Sequence, residues 1–116
     1  MRFLNLKNRY KYNSKWTYPG RFSEWLSHDE DSDQKILEIC VTDGTDHVAK
    51  AYFGYLTESR GGRLCCLEIF VEAEFRRKGI ATKIYDLAES LYYDKCEPYP
   101  GNSSDAKMFW EKRKRN

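Results

Sequence analysis

The periodicity of the chain changes once, between Leu64 and Leu91, and no other feature restricts the fold as much. Residues 64–71 form an apolar run broken only by Glu68, the pattern of a strand covered on both faces. After Glu72-Ala73-Glu74-Phe75, Ile80, Ile84, Leu87, Ala88 and Leu91 recur at i, i+4, i+7, i+8 and i+11, which predicts an amphipathic helix over about 78–93. What precedes the run is strand-like too. Residues 35–42 are rich in Ile, Leu and Val, Asp43-Gly44 suits a tight hairpin, and Ala49, Ala51, Phe53 and Tyr55 alternate with Lys50, Tyr52 and Gly54 in a second strand over 47–57. These two strands are expected to pair antiparallel, with Ser59-Arg60-Gly61-Gly62 turning into the third.

The flanks are less regular. A short strand is expected over 2–6, then loop to about Tyr18, then a short amphipathic helix carrying Phe22, Trp25 and Leu26 and ending near His28. The acidic stretch at Asp29, Glu30, Asp31 and Asp33 reads as a solvated loop, and His47 as a solvated turn residue. Residues 96–99 suit a short strand; Ser103-Ser104-Asp105 caps a last helix with Ala106, Phe109 and Trp110 on one face. The basic tail, Lys112-Arg113-Lys114-Arg115, is expected to complement that helix's dipole and stay solvated.

At 116 residues the chain is expected to form a single domain, 1–116. Its 6 Phe, 3 Trp and 9 Tyr can supply a core despite 33% charged residues. A net charge of +2 falls short of a polybasic nucleic-acid binder, so nucleic acid is not the expected partner. Nothing approaches a membrane span or a signal peptide, which gives the expectation of a cytoplasmic protein with no membrane partner. Cys40, Cys65, Cys66 and Cys96 contain no C-x-x-C pair and no histidine at zinc-ligand spacing. Free thiols are therefore expected, with Cys65 and Cys66 on opposite faces of a strand and no metal site.

Arg76-Arg77-Lys78-Gly79-Ile80-Ala81 falls where the covered strand gives way to the helix. A helix start offers unpaired N–H groups and partial positive charge, glycine and alanine permit close backbone approach, and the basic residues attract an anion. A phosphate or pyrophosphate is the expected ligand. Neither a GK[ST] nor a G-x-G-x-x-G pattern is present, which excludes the Walker A and Rossmann fingerprints.

With its strand, aromatic-bearing loop and R-x-x-G-x-A helix start, the stretch 67–82 resembles motif A of the GNAT superfamily of acetyl-CoA-dependent N-acetyltransferases. Ala106-Lys107-Met108-Phe109-Trp110-Glu111-Lys112 is similar to the family's A-x-x-F-Y-E-K helix, and together the likeness extends over about two thirds of the chain. The resemblance implies an α+β fold, a mixed, mostly antiparallel sheet flanked by helices as α/β/α. It implies transfer of an acetyl group from acetyl-CoA to a primary amine of a small molecule or a protein lysine. Amides from Arg77, Lys78, Gly79, Ile80, Ala81 and Thr82 would hold the pyrophosphate, with Arg76 adjoining, and Phe70 and Val71 would pair through their backbones with the pantetheine arm. Glu68 would accept the amine proton; the other roles open to it are pairing with a neighbouring Lys or Arg, or orienting a substrate cation.

This sequence departs from the family pattern in three places. Trp110 stands where a tyrosine that protonates the CoA thiolate is usual, which leaves the general acid to Tyr99, another tyrosine, or water. Ser103 replaces a frequent asparagine. The family's last pair of strands has no counterpart, so an uncovered edge and apolar surface near Phe109 and Trp110 suggest a homodimer. A second reading keeps the fold but makes the chain a catalytically weak CoA-binding or partner-binding module.

Overall fold

The computed structural model describes residues 9–26, 35–56, 63–98 and 104–115, and within the last segment the side chains of 107–113. Four strands, β1 (Tyr10–Thr17), β2 (Ile36–Asp43), β3 (Asp46–Leu56) and β4 (Arg63–Val71), form an open sheet in the order β1-β2-β3-β4. Every neighbouring pair is antiparallel. Gly44, at φ +62°, makes the hairpin turn expected of Asp43-Gly44, a left-handed conformation that glycine adopts without steric cost.

The helices α1 (Ile80–Tyr92) and α2 (Ser104–Arg115) complete an α+β fold. Ile80, Ile84 and Ala88 of α1 and Trp110 of α2 pack with Leu37, Ile39, Ala49, Ala51 and Phe53, so both helices cover one face of the sheet. The other face buries a second cluster of Phe22, Leu26, Ile36, Leu56, Cys65 and Leu67. Cys65 and Cys66 thus belong to opposite faces, as their adjacency in a strand requires. On this second face the covering element among the described residues is a 3₁₀ turn, Gly20–Trp25, so that layer is thinner than the flanking helix of an α/β/α sandwich.

That turn corrects the expected amphipathic helix. Phe22 and Leu26 are buried as anticipated, but Leu26 already has extended backbone and bridges to Leu56, which stops the helix after six residues. Gly54 lets the turn approach: a Cβ there would lie 2.8 Å from Leu26 Cδ2. The N-terminal expectation also changes. Residues 10–17, read as loop, form β1, and the strand expected over 2–6 lies outside the described residues. The overlooked signal was alternation, since Tyr10 and Tyr12 pack on the core while Lys11 and Asn13 are exposed. Among the described residues no helix is long and apolar enough to cross a membrane.

Candidate anion-binding site and sheet edge

The site begins with an irregularity in β4. Tyr52 lies opposite Glu68 and Phe53 opposite Cys66, which leaves Leu67 as the extra residue of a β-bulge. Such an insertion reverses which face the following side chains occupy. Cys66 joins the helix-side cluster, whereas Glu68 emerges beside Tyr52 on the face of the 3₁₀ turn. There Arg21 grips it with both arms of its guanidinium, Nη1 donating to Oε2 at 3.0 Å and Nη2 to Oε1 at 2.5 Å. The Arg21 guanidinium is stacked 4.3 Å from the centroid of Phe22 and 5.7 Å from that of Tyr52.

Those hydrogen bonds hold the Glu68 carboxyl below its ordinary pKa, against a smaller opposing effect of desolvation. The sequence leads one to expect a covered carboxylate whose charge burial disfavours unless a cation or water sits nearby. The structure corrects the burial, since the side chain is 46% exposed, and supplies the cation, since it is paired with an arginine, one of the roles left open for it.

Beyond the bulge, β4 is the outer strand of the sheet. Glu72 N donates to Val48 O at 2.9 Å, which directs residue 72 toward β3. By strand alternation, Val71 and Ile69 then turn their backbone groups to the outer side, and Phe70 turns its own back to β3. The Val71 carbonyl accepts a hydrogen bond from Arg76 Nε at 2.9 Å, and the Arg76 guanidinium lies 6.0 Å from the Phe70 ring. At the opposite end, Glu97 N donates to Leu64 O at 2.8 Å within an isolated parallel bridge between Cys65 and Glu97. That bridge is what the structure has of the strand expected over 96–99; Tyr99 lies outside the described residues. Among the described residues, therefore, β4 has an added neighbour only near Leu64, and from the bulge to Val71 its outer edge faces no strand. The sequence pointed to Phe70 and Val71 and missed Ile69, because only the bulge decides which backbones face outward.

The edge leads into the helix start. A single 3₁₀ turn, Ala73–Phe75, buries Phe75 against the core, with its ring edge-on to Tyr10 at 6.0 Å. Arg77 at φ 63° and Gly79 at φ 80° are both left-handed, and no such angle separates them at Lys78. Alternation of this kind turns successive N–H groups into one concavity suited to an anion. A non-glycine residue in that conformation is strained. The first bond of α1 runs from Lys83 N to Gly79 O at 3.1 Å, so the amides of Ile80, Ala81 and Thr82 precede the helical ladder, and no side chain caps them at Gly79. No acidic residue stands in the first turn, and the position a Cβ would take at Gly79 is open. Arg76, Arg77, Lys78 and Thr82 are exposed; Ile80 is buried and offers only its amide.

Thr82 also lines a cleft of about 610 Å³ between α1 and α2, with Asp86, Phe109, Trp110 and Lys112. Trp110 is buried, its ring 5.3 Å from that of Tyr85. In the tail beyond it Lys112 is exposed as expected, but Arg113 is largely covered. Arg113 Nη2 bonds Asp86 Oδ1 at 2.9 Å and Glu89 Oε1 at 2.8 Å, fastening α2 to α1. Glu89 Oε2 in turn accepts from Cys96 N at 2.8 Å. His47 is half exposed at the start of β3, with Nδ1 3.5 Å from Glu72 Oε2, apart from the residues gathered here. No family model, curated protein or solved structure matches this chain.

Proposed function

We propose that the chain is an acetyl-CoA-dependent N-acetyltransferase of the GNAT type, acting on a primary amine of a small molecule or a protein lysine. The observation that carries this reading is the continuity of two features: a strand edge at Ile69 and Val71 that no strand joins among the described residues, the Val71 carbonyl being met by the Arg76 side chain, and an uncapped helix start whose loop is left-handed at Arg77 and Gly79. The first suits an extended amide-bearing arm added as a short strand, the second a pyrophosphate. Acetyl-CoA carries both chemistries in the same order, and the cleft sharing Thr82 offers room beside them. Side chains of Arg76, Arg77 and Lys78 contribute positive charge, while the amides through Thr82 hold the phosphates.

Transfer requires a neutral amine nitrogen, which attacks the thioester carbonyl so that a C–N bond forms and the C–S bond breaks. The amine proton leaves to Glu68, directly or through water, and the thiolate is protonated from water or a tyrosine. Trp110 is excluded as that acid, since its ring is packed under α1 and indole has no acidic hydroxyl.

The test is Gly79→Glu, which sets a bulky anion in the cradle. The wild-type chain is expected to gain thermal stability from CoA and the variant to gain none, its ligand-free melting temperature being lowered only by the strain of a side chain at φ +80°. Undiminished stabilisation of the variant would overturn the assignment. A CoA-binding chain that releases no thiol with any amine would favour a binding module instead.

A further inference from the structure

We infer that Arg21 is a positioning residue for Glu68, fixing the direction of its carboxylate through a two-pronged contact from the 3₁₀ turn; the inference rests on the transferase reading. The pair is built rather than incidental. Buried Phe22 follows Arg21 in the 3₁₀ turn and anchors the backbone that carries the guanidinium. The contact is two-pronged and the guanidinium is stacked on Phe22. This is the geometry in which arginine orients a carboxylate and lysine cannot.

Among the described residues, the groups facing Glu68 are few. From β3 comes Tyr52, whose hydroxyl donates to Glu38 Oε2 at 3.2 Å, and from the turn comes Arg21. Glu38 is engaged by Lys15 Nζ at 3.3 Å and Lys50 Nζ at 3.7 Å. On β4 itself, the Cys66 thiol donates to Glu68 O, the backbone carbonyl, rather than to the carboxylate. Arg21 is thus the cation on the Glu68 carboxylate among the described residues. An amine must meet this carboxylate while Arg21 occupies both of its oxygens. Glu68 therefore accepts a proton only where a water or the incoming amine shares its oxygens with the guanidinium, which makes Arg21 a determinant of how the amine is oriented.

The experiment follows Glu68 and the reaction together in wild-type, Arg21→Gln and Arg21→Lys. The Glu68 carboxyl carbon is titrated by NMR, and thiol release from acetyl-CoA is measured across pH with a lysine-containing peptide and an alkyl diamine. In Arg21→Gln the Glu68 titration should move up, the acid limb of kcat should move with it, and kcat should fall about tenfold with KM for acetyl-CoA unchanged. Arg21→Lys should restore charge and part of the titration but not the rate. An unmoved Glu68 titration in Arg21→Gln, or a kcat profile identical to wild-type, would overturn the role. Were the wild-type chain to release no thiol with either amine, the transferase reading would fall and the positioning role with it, whereas a moved Glu68 titration would still mark that failure as distinct from loss of the pair.

Discussion

Glu68 illustrates how one inserted residue changes the chemistry of its neighbour. Without the bulge at Leu67, strand alternation would send the carboxylate to the side of Cys66, a thiol that burial pushes up to about 12. With it, the carboxylate meets Arg21. Because its pKa is lowered on folding, the pair stabilises the folded chain fully above the ordinary carboxylate pKa and loses that effect as pH falls through the folded value. Glu68→Gln should therefore lower Tm by about 2 °C near neutral pH, the modest effect of an exposed ion pair, and by progressively less as the pH falls through the lowered folded pKa. A difference that persists in acid would mean that packing, not charge, holds Glu68. The sequence made Glu68 conspicuous as a lone carboxylate in an apolar run, and Gly79 as a glycine at a helix start. It did not expose Arg21, because the partners are 47 positions apart and the bulge that joins them leaves no mark in the residue pattern. Ile69 was hidden for the same reason.

Elements were legible where a single period ran long enough. β2, β3, β4 and α1 lie within a residue or two of the bounds implied by alternation or by the 3.6-residue repeat. The 3₁₀ turn was misread because i, i+3 and i+4 spacing over one turn fits an α-helix equally well, and the bridge from Leu26 to Leu56 that ends it is a tertiary fact. β1 is obscured by Ser14, which interrupts the aromatic face of Tyr10, Tyr12 and Trp16 and shortens the alternation with Lys11, Asn13 and Lys15. α2 was expected from its aromatic pair, yet its attachment depends on a residue assigned to a solvated tail. Arg113 has a side chain only 15% exposed and lies 5.4 Å from the Tyr85 ring centroid and 6.0 Å from that of Trp110. Removing it leaves Glu89 less satisfied and Trp110 less covered. Arg113→Ala should cost about 1–3 kcal/mol, read by urea denaturation, with Arg113→Lys recovering part of it. A loss below 0.5 kcal/mol, the scale of an ordinary surface change, would place the tie among solvated charges after all.

At the scale of the whole molecule, the two borders of the sheet differ in how they resist another chain. β1 is the outer strand on one side, and exposed Lys11, Asn13 and Lys15 lie along it, the charged and polar cover that keeps edges apart. On the other side, the stretch of β4 after the bulge carries Phe70, which is 49% exposed, and outward backbone groups at Ile69 and Val71. Trp110 is buried, which removes part of the apolar surface expected to support a homodimer, and the β4 edge is the place where two copies can pair by backbone. It offers only a few residues, and a twisted bulged edge pairs poorly, so the dimer should be weak. The same groups are those proposed to receive the pantetheine arm, which makes the two occupants mutually exclusive. Sedimentation at tens of micromolar should accordingly show a monomer in exchange with a minor dimer, and saturating CoA should shift it to monomer by mass action. Ile69→Pro, which removes the outward N–H at the centre of the edge, should abolish both the dimer and the stabilisation by CoA while the β3 side of β4 stays paired. A dimer fraction that CoA leaves unchanged would separate the two surfaces and move self-association away from β4.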